Sequence, residues 1–205
     1  MLQFRTHPSE KYNIIDEVKM VLEGGCRWIQ LYMKDSSDED IKKVTEKIIP
    51  LCQEAEAILV IDNRVNITLE TKVHGVFLGK AKMPALEARE KLGAGAIIGV
   101  TANTAEDIIA YKKIDVDYVE LGQFNGSTEN LSIEDYKSIV SEVRNAGVEL
   151  PIVAVGEISI DDIDDIMSTG VNGIAMSKTI INAENPVEYT KQVLAKLNNY
   201  MLDQS

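Results

Sequence analysis

Polar residues collect at a few points of this 205-residue chain, each directly after a short apolar run. Gly156-Glu157 follows the run at 151–155, and Ser177-Lys178-Thr179 follows the run at 173–176. A glycine turn, two hydroxyls and a lysine at the start of a short helix supply N–H and O–H donors and one cation, which is equipment for cradling a phosphate. At the same residues an ordinary helix cap with a solvated lysine is the alternative. Asp62-Asn63-Arg64 follows the run AILVI at 57–61. A carboxylate beside an amide can hold a metal ion or a polar ring, or can serve as an Asx turn capping the next helix. Lys34, past the run at 28–31, can meet an anion or stand free on the surface. His7 sits past the first run without an evident partner, whereas His74 precedes a run and is expected to be structural. Cys26 and Cys52 lack CxxC spacing and read as core-filling thiols. No nucleophile elbow, P-loop or zinc cluster is present.

These points need elements to bring them together. Eight β-rich runs occur, at 2–5, 28–31, 57–61, 75–78, 96–100, 117–121, 151–155 and 173–176. Each is followed by an amphipathic stretch; the longer ones start at about 16, 37, 84, 104, 133, 159 and 186. Residues 123–130 read as a loop before the long helix that starts at about 133, and 159–169 as one continuous helix. Runs that are apolar on both faces, such as AILVI and PIVAV, indicate a parallel sheet. Eight right-handed strand–helix units can close into a ring without edges. The expected fold is therefore an α/β protein, a single (β/α)8 TIM barrel occupying 1–205, near the lower end of the size range for that fold. An open doubly wound sheet is the rival, but His7-Pro8-Ser9 stands where its glycine-rich turn would be. In a barrel the strand C-termini share one rim, so the scattered polar points become neighbours.

The formal net charge of −12 opposes phosphate backbones and anionic membrane surfaces, so neither nucleic acid nor membrane is an expected partner. A small-molecule phosphate ligand would need local donors working against that field. No apolar run reaches the ~20 residues of a membrane span, and the first residues lack the apolar core of a signal peptide. A cytoplasmic location is expected, and a homo-oligomer is compatible with the sequence.

At the rim segments the chain resembles the thiamine phosphate synthase / TenI family over nearly its whole length. The resemblance is carried by Glu23-Gly24-Gly25-Cys26-Arg27-Trp28-Ile29-Gln30-Leu31 with Lys34, by Ile61-Asp62-Asn63-Arg64-Val65, and by His74-Gly75-Val76-Phe77-Leu78-Gly79. Further on it is carried by Ile98-Gly99-Val100-Thr101, by Asp117-Tyr118-Val119-Glu120-Leu121-Gly122, and by Pro151-Ile152-Val153-Ala154-Val155-Gly156-Glu157-Ile158. It ends with Gly170-Val171-Asn172-Gly173-Ile174-Ala175.

The resemblance implies a transferase of thiamine biosynthesis that joins hydroxymethylpyrimidine pyrophosphate to a thiazole phosphate, releasing pyrophosphate. It implies Gln30, Lys34, Asp62, Thr101 and Asn130 on the pyrimidine and pyrophosphate side. Ser127, Gly156, Glu157, Ser177 and Lys178 fall on the thiazole phosphate side. It assigns no catalytic group. It also implies Mg2+, yet the two metal-aspartate positions hold Asn63 and Lys82. Tyr32 replaces an arginine expected between Gln30 and Lys34, and Glu129 enters a loop that should hold phosphates. Trading two carboxylates for an amide and an ammonium removes what a tight Mg2+ site needs. Lys82 is then a candidate fixed cation in place of the metal. Two alternatives follow: a degenerate paralogue acting as a binding or regulatory module for a thiamine-related phosphate, or a different small-molecule enzyme on the same barrel.

Overall fold

The computed structural model describes residues 1–79, 83–125 and 130–203. The first strand, β1 (Leu2–Arg5), leads to helix α1 (Ile14–Glu23), and β2 (Trp28–Leu31) to α2 (Asp38–Glu54). β3 (Ile58–Asp62), α3 (Val65–Thr71), β4 (Gly75–Leu78) and α4 (Ala85–Leu92) complete the first half. The second half runs β5 (Ile97–Ala102), α5 (Ala105–Ala110), β6 (Tyr118–Phe124) and α6 (Ile133–Asn145). It ends with β7 (Ile152–Gly156), α7 (Ile163–Met167), β8 (Gly173–Met176), the single turn α8 (Lys178–Ile181) and α9 (Pro186–Asp203).

All eight strands are parallel and pair in sequence order, and β1 lies between β2 and β8 to close the barrel. The expected α/β barrel is the fold. Helix starts follow local chemistry: the side-chain oxygens of Ser37, Thr104 and Ser132 accept the backbone N–H three residues on. Such caps satisfy donors that a helix start otherwise leaves unpaired.

Strand alternation sorts side chains into two cores. Phe4, Ile29, Leu59, Ile61, Val76 and Leu121 join the large cluster between barrel and helices. Trp28, Phe77, Tyr118, Val153 and Ala175 form a smaller one inside the barrel. Trp28 and Tyr118 meet edge to face at 4.7 Å between ring centroids. Gly99 makes room for Tyr118, because a Cβ there would lie 2.1 Å from the tyrosine Cζ. His74 proves structural, its Nδ1 accepting the Leu59 N–H at 3.1 Å. Cys26 and Cys52 are free and buried, and burial pushes both thiols up to about 11, which leaves them unreactive.

Most boundaries shift by a residue or two from those expected, and three shifts alter an element. β6 continues through Gly122 and Gln123 to Phe124, so the loop does not begin at Gln123. β5 continues to Ala102, placing Thr101 within the strand. The helix expected at 159–169 is a 3-10 turn at Ile160–Asp162 followed by the short α7. Among the described residues no helix is long and apolar enough to cross a membrane.

Candidate active site at the C-terminal rim

Two joined hollows of about 660 Å3 each open at the strand C-termini. Arg5, Tyr32, Gln123 and Val155 border both, so they are lobes of one site.

The first lobe is lined by Lys34, Asp62, Asn63, Arg64 and Thr101. Asp62 ends β3 with its side chain inward, where Gln30 Nε2 donates to Oδ1 at 3.1 Å and Asn63 Nδ2 to Oδ2 at 2.8 Å. Burial raises the Asp62 carboxyl, against the pull of the Arg5 charge and both hydrogen bonds. Asn63 has φ 55, a left-handed conformation that asparagine tolerates, and this folds its amide back over the strand end. Its Oδ1 accepts the Gly79 N–H at 3.1 Å, tying β3 to β4. Arg64 is held at the edge by Asp38 at 2.8 Å.

The second lobe is lined by His7, Gly156, Glu157, Ser177, Lys178 and Thr179. Ser177 precedes α8 but makes no side-chain cap, so its hydroxyl is not spent on the helix. Burial lowers the His7 pKa, and the nearby Lys178 and Arg5 charges lower it further.

The sequence-derived candidates thus converge, with exceptions. Gln30 is buried beneath the first lobe, one hydrogen bond behind Asp62. Asn130 is exposed and bridges to Gln123, outside the lining of either lobe. Ser127, Glu129 and Lys82 lie outside the described residues.

Two central residues escaped the sequence reading. Arg5 closes β1 with its guanidinium 4.0 Å above the Tyr32 ring centroid, at the junction of the lobes. Glu120, in the middle of β6, is 2% exposed and borders the first lobe. Its Oε1 has no hydrogen-bond partner. Burial pushes its carboxyl up to about 8, helped by the Asp62 charge and opposed by Arg5. The available signal was a lone charge at an inward position of an otherwise apolar strand.

A tightly held Mg2+ needs several carboxylate oxygens. Here Asn63 offers a neutral amide whose oxygen is already engaged, and Asp62 is the one carboxylate at that strand end. Among the described residues no group of three or more His, Cys, Asp or Glu is arranged to hold a metal. The described residues do not fit a carboxylate-held ion.

The profile of the family described as thiamine monophosphate synthase (TMP-TENI) matches residues 3–180. The thiamine-phosphate synthase of Bacteroides fragilis is 46% identical over 94% of this chain and 98% of its own length. That of Pyrococcus abyssi is 31% identical over 87% and 86%. The solved structure of thiamine phosphate pyrophosphorylase from Pyrococcus furiosus superposes with a TM-score of 0.88 at 26% identity, covering 98% of this chain and 96% of that one. A profile spanning most of the chain, relatives this similar end to end and a shared closed barrel together establish that the chain belongs to the thiamine monophosphate synthase family.

Proposed function

We propose that this chain is a thiamine-phosphate synthase whose pyrophosphate site uses protein cations in place of metal carboxylates. What supports the reading most is the double hollow with Arg5 at its junction, within a chain of this family. The first lobe takes hydroxymethylpyrimidine pyrophosphate, with Gln30, Asp62 and Thr101 around the ring and Lys34 on the pyrophosphate. Arg5, stacked on Tyr32, carries a guanidinium near the place of the arginine that Tyr32 replaces. The second lobe takes thiazole phosphate on Gly156, Ser177 and Lys178.

In the reaction the bond from the pyrimidine methylene carbon to the pyrophosphate oxygen breaks, and the electron pair leaves with oxygen. The thiazole ring nitrogen then gives its lone pair to that carbon, so no proton changes hands. Fixed cations at the leaving group stabilise charge that develops only as the bond breaks, the kind of effect that accelerates chemistry rather than binding alone. Joined lobes hold the two reactants together, which converts an encounter into a positioned step.

The test is pyrophosphate release by the purified protein given both substrates. Release matched by thiamine phosphate is expected, and excess chelator is expected to leave the rate within about twofold if Lys82 and Arg5 stand in for the metal. A strict Mg2+ requirement overturns that substitution. The engaged Asn63 amide favours a second reading, a binding barrel without turnover. No release, together with a thermal shift on adding thiamine phosphate, selects it, since a ligand that binds only the native state stabilises it.

A further inference from the structure

Small barrels usually fill their interior with branched apolar side chains. Here Gln3, Gln30, Asp62 and Glu120 enter it from four different strands. Three of them are hydrogen-bonded: Gln3 Nε2 donates to the Tyr118 hydroxyl at 3.0 Å, and Gln30 Nε2 to Asp62 at 3.1 Å. Inside the barrel the unpaired atoms are the Trp28 indole N–H and three acceptors, on Gln3, Gln30 and Glu120; of these residues Glu120 borders the first lobe and Gln30 is bonded to Asp62, which lines it. Gln30 Oε1 and Glu120 Oε1 are both buried acceptors without a donor. Buried polar atoms in native proteins are almost always satisfied, so orphans at a hollow call for a ligand or water to complete them. The complement of two orphan acceptors is a group with two N–H hydrogens, which a primary amino group on a flat ring supplies from a single nitrogen.

We propose that Glu120 reads the exocyclic amino group of the pyrimidine substrate, its Oε1 accepting one amino hydrogen while Gln30 Oε1 takes the other. The proposal rests on the synthase reading above and adds to it a specificity contact from the middle of β6. Glu120 pairs in register with Thr101 on β5, a residue already lining the lobe, so a ring against Thr101 lies beside it. The contact also bears on rate. As pyrophosphate departs, positive charge spreads from the methylene carbon over the ring onto the amino nitrogen. Its N–H groups become stronger donors, and an acceptor held in place strengthens its bond at that moment.

The test compares two ligands by titration calorimetry: 4-amino-5-hydroxymethyl-2-methylpyrimidine pyrophosphate and its 4-deamino analogue. Glu120→Leu is expected to weaken the aminated ligand about tenfold or more and the deaminated one less than about twofold. Thiazole phosphate binding is expected to stay unchanged. Glu120→Gln keeps the acceptor oxygen and is expected to stay within about threefold of wild type for both. Equal weakening of both pyrimidines, or of neither, overturns the proposal. Should Glu120→Leu not fold, 13C-glutamate-labelled wild type decides, with Glu120→Gln assigning the resonance. The Glu120 carboxyl signal moves with the aminated ligand and stays with the deaminated one; a signal indifferent to both overturns the proposal. A wild type that binds neither pyrimidine sinks the synthase reading as well, whereas binding independent of Glu120 sinks this inference alone.

Discussion

Arg5 is a partly buried cation whose neighbours are an aromatic ring and two acids that burial pushes toward neutrality. Among the described residues no ion pair neutralises it, so its charge is directed at the cavity junction rather than cancelled within the protein. A guanidinium stacked on a ring is pre-oriented and offers a planar fork to phosphate oxygens. Arg5→Met is therefore expected to weaken inorganic pyrophosphate binding about tenfold or more, the worth of one charge-assisted hydrogen bond at about 1.5–3 kcal/mol. Arg5→Lys should fall between, because an ammonium keeps the charge but loses the fork. Titration calorimetry on the three proteins checks this, and equal affinities would remove Arg5 from the site. The residue was hard to find from sequence because its importance depends on Tyr32, which is distant along the chain and adjacent only across the β1–β2 pair.

At the scale of elements, AILVI and PIVAV were legible because a strand buried on both faces has no polar alternation to mistake. Asp62, Gly156 and Ser177-Lys178 could be placed at the rim for the same reason, since each directly follows such a run, and Lys34 comes three residues after another. The end of β6 was not legible. Gly122-Gln123-Phe124 looks like a turn, but Phe124 pairs with Gly156 of β7 after a register shift, and the Glu157 N–H donates to the Phe124 carbonyl at 2.8 Å. That closeness depends on Gly156, where a Cβ would stand 2.1 Å from the Phe124 oxygen and 2.4 Å from its nitrogen. Backbone cannot yield as a flexible side chain does. Gly156→Ala is expected to destabilise by about 1–3 kcal/mol, the usual cost of overpacking, and to weaken phosphate binding in the second lobe. Gly95→Ala, with nothing within 4 Å of the added methyl, is the control, expected within about 0.5 kcal/mol of wild type. Urea midpoints decide, and a Gly156→Ala protein as stable as that control would show that the β6–β7 junction can relax.

For the molecule as a whole, closing the ring traps two acids on either side of the chain that leaves β1. Glu120 is inside; Glu17, on α1, accepts the His7 N–H at 3.0 Å from outside, is fully buried and has Oε1 unpartnered. Burial, the largest cause at both, pushes Glu17 from 4.5 up to about 7 and Glu120 from 4.5 up to about 8. Both pKa values are raised on folding, so below about 4.5 each acid is protonated in both states and folding is not penalised. As pH rises the unfolded chain ionises first, and stability falls until the folded carboxyls ionise at about 7 and about 8. Other groups titrate in this window, among them His7, whose lowered pKa acts in the opposite sense. The clean measurement is therefore a difference. The double variant Glu17→Gln, Glu120→Gln cannot ionise at either position. Relative to wild type it should gain on the order of 2 kcal/mol or more in unfolding free energy between pH 5 and pH 9, since each tenfold change in proton affinity on folding is worth about 1.4 kcal/mol. Parallel stability profiles for the two proteins would mean that these carboxyls are solvated. The barrel interior would then be wetter than its hydrogen bonds imply, and Glu120 Oε1 would already have a water for its partner.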